Sequence, residues 1–206
     1  MIHVLQVDRI AQIAQERALR ISRVGEYIAS NILSRFNEND SRAINLEIGC
    51  GHGHWLTSFA PLCDNDLFVG IDLLSKRIRK ADRKKELLNL KNIFFLKAEA
   101  TEFLEALPEN LYISNTFIMH PDPWPKKKHH KNRLIQDSFL KALHNRSKHG
   151  SKLFFKTDHE PYFDWTKKIL SLSSLWKLGS ENWPHEAPSY FQELFECSHF
   201  CSASSV

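Results

Sequence analysis

Two stretches of this 206-residue chain hold the residues best suited to chemistry. One is Glu47-Ile48-Gly49-Cys50-Gly51-His52-Gly53; the other is HPDPWPKKKHHKNR, from His120 to Arg133. Glycines one residue apart let a backbone turn sharply and bring a ligand against the main chain, which singles out Gly49 and Gly51 as cofactor-binding positions. The spacing is G-x-G-x-G rather than the G-x-G-x-x-G of dinucleotide sites, and the acid Glu47 stands just before it. A pyrophosphate gains nothing from a carboxylate there, whereas a cationic ligand does. Asp72 lies about twenty residues on, where an acid takes ribose hydroxyls, and Glu99 follows a further apolar run. Three acids around a glycine loop point to a cofactor with a nucleoside, no phosphates and positive charge. S-adenosylmethionine answers to this: a sulfonium, an α-ammonium and an adenosine ribose. A nicotinamide cofactor is the competing reading, and acids that merely end strands are the bland one.

In the second stretch Asp122 stands between Pro121 and Pro123, whose rings hold φ near −65° and so hold the acid at a set place. Trp124 either packs on the scaffold or stacks on a base. Lys126, Lys127, Lys128, His129, His130, Lys131 and Arg133 follow. A basic run is usually a solvated face, and this one also passes for a localisation signal. Its place directly after an acid-lined crevice favours contact with nucleic-acid phosphates instead. No metal site is expected: His52/His54, His129/His130 and Cys197/His199/Cys201 lack the spacing of zinc ligands. There is no G-x-S-x-G elbow and no cysteine marked as a nucleophile.

Short apolar segments must position these residues. AINLEIG (Ala43–Gly49), LFVGID (Leu67–Asp72), NIFFLKA (Asn92–Ala98), YISNTFIM (Tyr112–Met119) and SKLFFKTD (Ser151–Asp158) suit buried strands. Helical character separates them, clearest over Leu73–Leu90 and Lys131–Ser147. The alternation predicts an α/β fold with a doubly wound, mostly parallel sheet, whose ligands bind beyond the carboxyl ends of the strands. The first 36 residues read as helix, with Arg17, Arg20 and Arg23 on one face, either solvated or touching phosphate. One domain is expected: an N-terminal helical extension (1–40) on an α/β core (41–206).

The formal charge is only +4, so any polyanion binding must come from local clustering. Met1–Ile10 has no signal-peptide pattern, no apolar run approaches a membrane span, and the four cysteines form no CxxC pair. These features lead us to expect a cytoplasmic protein with reduced thiols, no membrane association, no obligate protein partner and a monomeric state.

LEIGCGHG, GID, the acid at Glu99, PDPWPKKKHHKNR and KTDHEPY together resemble the bacterial tRNA (guanine-N7-)-methyltransferase family, over about Leu46 to Tyr162. The resemblance implies a Rossmann-like class I methyltransferase that uses S-adenosylmethionine and modifies tRNA. By that resemblance Glu47, Asp72, Glu99 and Asp122 line the donor site, with Asp122 nearest the chemistry. Lys126 and Asp158 contact substrate, and Lys128, His129, His130, Lys131 and Arg133 touch RNA. The family's target is a guanine of the tRNA variable region (guanine 46), methylated to 7-methylguanosine. Alternatives are another RNA guanine, a small molecule, or an inactive RNA-binding relative. Three departures stand out. The family's Lys-Arg-Arg is here Lys131-Asn132-Arg133. Its Thr-x-Phe-Glu has Ser189-Tyr190-Phe191-Gln192 as nearest match, giving Ser189 and Gln192 as further substrate contacts. The tail LFECSHFCSASSV offers no obvious final strand.

Overall fold

A computed structural model describes residues 2–37, 42–187 and 198–206. The five expected strands form: β1 (Ala43–Ile48), β2 (Leu67–Asp72), β3 (Ile93–Lys97), β4 (Tyr112–Met119) and β5 (Ser147–Thr157). Two more, β6 (Trp176–Gly179) and β7 (His199–Ser205), complete a sheet of order β3-β2-β1-β4-β5-β7-β6. β1 to β5 are parallel, and β7 runs antiparallel to both of its neighbours. Helices cover both faces: α1 (Ile2–Tyr27), α2 (His54–Phe59), α3 (Ser75–Leu87), α4 (Ala100–Ala106), α5 (Asp137–His144) and α6 (Glu160–Leu172).

Side chains alternate across a strand, so adjacent residues feed opposite sides of the sheet. Val69, Phe94, Ile118 and Phe155 join one buried cluster with Val24, Phe103, Leu140 and Tyr162 of α1, α4, α5 and α6. Phe68, Phe95, Phe117 and Phe154 join another with Trp55, Leu56, Ile78 and Ala81 of α2 and α3. Burial on both faces explains why these strands read as near-continuous apolar runs.

Three expectations are corrected. The tail does contain a strand. β7 lies between β5 and β6, paired to both, with Ser202, Ala203 and Ser205 buried. Its HFCSASS sequence has small side chains and little apolar alternation, so pairing on two sides decides its conformation. The helix expected over Lys131–Ser147 is instead a 3-10 turn at Lys127–Asn132 followed by α5, and β5 already begins at Ser147. The register between β4 and β5 shifts there, between Ile113 and Asn115, and Gly150 takes φ +78°. Finally, two of the three aligned arginines are spent on α4. Arg17 donates to Glu105 at 2.5 Å, and Arg20 holds Glu102 with both Nε and Nη2. That face docks α1 onto the core rather than being left for phosphate.

Candidate functional site

Strand order reverses about β1, whose neighbours are β2 and β4, and the crevice beyond their carboxyl ends is where such folds bind ligands. The chain leaves β1 by turning at once: the N–H groups of Gly49 and Cys50 both donate to the Ile71 carbonyl, at 2.8 and 2.9 Å. Gly49, Gly51 and Gly53 all have positive φ, a region that glycine enters without penalty. Their surroundings differ. A Cβ at Gly49 or Gly51 would meet nothing within 4 Å, whereas one at Gly53 would lie 2.7 Å from the Phe95 ring. The first two glycines therefore border open space, and the third packs α2 onto the sheet.

Glu47, one residue before the end of β1, is only 3% exposed, and its Oε2 has no hydrogen-bond partner. Burial, with a contribution from the charge of Asp72, pushes its carboxyl up to about 8. Leaving a buried carboxylate oxygen unpaired is costly, and a cationic group seated there would relieve it. An acid with a spare oxygen beside open glycine backbone fits the ammonium and main body of S-adenosylmethionine; it does not fit a pyrophosphate.

The other two acids carry structural duties as well. Asp72 is buried; its Oδ1 accepts from the Leu74 N–H at 2.8 Å, and its Oδ2 from the Gly51 N–H at 3.1 Å and Arg77 at 3.3 Å. It thus ties the glycine loop to the turn into α3. Glu99 is the N-cap of α4, with one oxygen accepting from the N–H groups of Thr101 and Glu102. Both acids stand at strand ends, as expected.

Across β1, the chain leaves β4 through the proline-rich stretch. His120 (φ 46°) and Trp124 (φ 44°) both occupy the left-handed region and bracket Pro121-Asp122-Pro123. Non-glycine residues rarely sit there unless their surroundings hold them. Arg133 supplies part of that hold. It is 3% exposed, donates from Nε to the Pro123 carbonyl at 2.9 Å, and lies over the rings of Tyr162 and Trp165 at 4.9 and 5.2 Å. Expected to touch RNA, Arg133 instead pins the loop to α6. Asp122 is exposed on that pinned loop. Burial raises the Tyr162 hydroxyl to about 12, with a small contribution from the charge of Asp122.

The remaining basic residues divide. Lys126, Lys127, Lys128 and Lys131 are exposed. His129 packs edge-on against Trp124 at 5.8 Å, and His130 against Trp165 at 5.5 Å with its Nε2 buried. The two histidines, expected as RNA contacts, are half-exposed and also make ring contacts within the turn and to α6. Trp124 is half-exposed.

Asp158, just past β5, accepts from or is paired with His120 Nδ1 at 3.0 Å. Burial works to raise its pKa, but the hydrogen bond from His120 and one from its own backbone N–H outweigh that and hold it below the usual range. Sequence reading overlooked His120, Tyr162 and Trp165. No spacing rule connects residues 29 to 38 positions apart, and only the strand order brings them together. Nearby, Lys156 is buried, pairs with Glu186 at 3.0 Å and lies over the Trp183 ring. The indole N–H groups of Trp55 and Trp183 both donate to the His185 carbonyl, and Trp183 packs beside Trp55 of α2 on Phe117 of β4 and Phe154 of β5. Ser189 and Gln192 lie outside the described residues.

Residues 41–196 match a family profile described as "Putative methyltransferase". The chain is 36% identical over 135 residues to a tRNA (guanine-N(7)-)-methyltransferase of Chlorobium phaeobacteroides, covering 65% of this chain and 66% of that one. It is 34% identical over 149 residues to the tRNA (guanine-N(7)-)-methyltransferase of Prochlorococcus marinus subsp. pastoris, covering 70% and 71%. The matched segments thus span about two thirds of these relatives. A SAM dependent methyltransferase from Aquifex aeolicus superposes with a TM-score of 0.58 over 90% of this chain and 93% of that one, at 18% identity, which speaks to the fold alone. Sheet order, glycine loop, orphaned acid and sequence similarity converge: the chain belongs to the tRNA (guanine-N7-)-methyltransferase family.

Proposed function

We propose that this protein transfers a methyl group from S-adenosylmethionine to N7 of a guanine in tRNA, guanine 46 of the variable region, giving 7-methylguanosine. The observation that carries the reading is the buried Glu47 carboxylate oxygen left without a partner beside the open glycine loop. When bound, the donor supplies an electrophilic methyl on a positively charged sulfur. Glu47 would accept from its ammonium, the backbone at Gly49 and Gly51 would lie against it, and Asp72 and Glu99 are the acids at hand for its nucleoside.

Guanine N7 has a lone pair and no proton, so no residue of the chain need act as a base. What the chain must supply is in-line placement and negative charge near a purine that becomes cationic. Asp122, anionic on a loop held by Arg133, suits both tasks. Asp158, kept charged by His120, is suited to take the N1–H and N2–H₂ of the guanine edge. Turning that base out of folded RNA costs a few kcal/mol, which phosphate contacts from Lys126, Lys128 and Lys131 offset. No helix among the described residues is long and apolar enough to cross a membrane. An RNA substrate and the free thiols of Cys50, Cys63 and Cys201 fit work in the cytoplasm, and the protein is taken to act as a monomer.

The test is incubation with bulk tRNA and labelled S-adenosylmethionine, followed by digestion to nucleosides. Label in 7-methylguanosine, mapped to guanine 46, supports the proposal. Label in another nucleoside, or RNA retained with no label, rejects it.

A further inference from the structure

Helix α3 carries Lys76, Arg77, Arg79, Lys80, Arg83, Lys84 and Lys85 against only Asp82 and Glu86. By itself it more than accounts for the chain's formal charge of +4. Like charges three and four residues apart destabilise a helix, and α1 shows how this protein disposes of cations it must shield: Arg17 and Arg20 pair with acids of α4. On α3 that happens once, between Arg77 and Asp72, while Lys85 lies over the Phe94 ring. Among the described residues Lys76, Arg79, Lys80 and Arg83 form no salt bridge, and all four are exposed. Ile78 and Ala81 anchor the opposite side of the helix in the core.

The placement of these cations matters as much as their number. Lys76, Lys80 and Lys84 follow at four-residue steps, about 6 Å apart along the axis, and this row leads to the glycine loop. Lys84 Nζ lies 2.7 Å from His54 Nδ1. Burial, then the charges of Lys80, Arg77 and Lys84, hold the His52 imidazole below its usual pKa, so the field of α3 reaches the mouth of the crevice. α3 follows β2, on one side of β1, and the Lys126–Lys131 run follows β4, on the other.

We propose that Lys76, Arg79, Lys80 and Arg83 form a second phosphate-binding surface, which grips the RNA backbone on the flank of the crevice opposite Lys126–Lys131. This rests on the tRNA reading above. RNA is favoured over an anionic membrane because Ile78 and Ala81 are buried and the exposed leucines, Leu73, Leu74, Leu87 and Leu88, lie only at the two ends of α3, so no apolar stripe runs beside the cations to insert among lipids.

The test compares wild type with K76Q/K80Q/R83Q, in which glutamine keeps helix propensity, and with the charge-preserving K76R/K80R/R83K. Measured are tRNA affinity at several salt concentrations, methylation kinetics and donor affinity. The glutamine variant is expected to raise the KM for tRNA about tenfold near 0.1 M salt and to reduce the slope of log K against log salt by about two. Its kcat and donor affinity stay at the wild-type level, and the charge-preserving variant behaves as wild type. An unchanged salt slope overturns the proposal. So does equal loss in the charge-preserving variant or a loss of donor affinity, because α3 would then act through packing. Weaker binding to phosphatidylserine vesicles with tRNA affinity intact overturns it too, in favour of a membrane. A wild-type protein that binds no tRNA overturns the function proposed above along with this one, whereas a wild type that binds and methylates beside an indistinguishable variant overturns this one alone.

Discussion

Glu47 is an acid whose burial opposes its charge, and in the function proposed above the donor's ammonium relieves it. Its carboxyl titrates at about 8 when buried, against about 4.5 in an unfolded chain. Between these values the folded protein holds a proton that the unfolded one has released. Stability without donor therefore falls as pH rises through this window, by up to about 1.4 kcal/mol per unit. Glu47→Gln removes that loss. Its melting temperature should exceed that of wild type by a margin that widens from pH 5 to pH 8, while donor binding by calorimetry disappears. A margin independent of pH would show that Glu47 does not titrate there. Asp122 makes the complementary prediction. Asp122→Ala should lower kcat at least ~100-fold, the scale of a lost electrostatic contact in a transition state, with tRNA still shifted on a gel. Near-normal turnover would remove Asp122 from the chemistry.

At the scale of elements, the proline-rich loop and α6 form one unit through Arg133. The guanidinium is buried over Tyr162 and Trp165 and holds the Pro123 carbonyl. Arg133→Gln loses a charge-assisted hydrogen bond and two ring contacts, and should destabilise the protein by about 1–3 kcal/mol in chemical denaturation. Turnover should fall with it, because the loop carrying Asp122 loosens. The salt dependence of tRNA binding should stay as in wild type; a slope smaller by about one would return Arg133 to the RNA contacts. α1 and α4 are joined in the same manner. Arg20→Ala should lower the melting temperature, since the buried Glu102 loses its partner, and leave tRNA affinity unchanged.

At the scale of the whole molecule, the sheet depends on its last strand. β7 is paired along β5 on one side and β6 on the other, and Ser205 Oγ donates to the Lys148 carbonyl. Deleting residues 199–206 would strip β6 of its pairing and expose the β5 edge, with Trp176 and Phe155 losing cover. The truncated chain should show no cooperative thermal transition and bind no donor, although no deleted residue belongs to the crevice. A truncated protein that melts sharply would mean that β1 to β5 and their helices are self-sufficient.

What the sequence determined by itself was local. Two-sided burial writes strands as apolar runs, so β1 to β5 and the parallel architecture were legible, and strand ends located Glu47, Asp72, Glu99, Asp122 and Asp158. The orphaned oxygen of Glu47, the burial of Arg133 and the pairing of His120 with Asp158 were not legible, because each depends on which strands lie side by side. Nor was β7, whose small side chains carry little signal and which is a strand because two neighbours offer it hydrogen bonds. Charge shows the same division. Composition counts the cations of α1 and α3 alike, and only packing against α4 separates those that are spent from those that remain for a ligand.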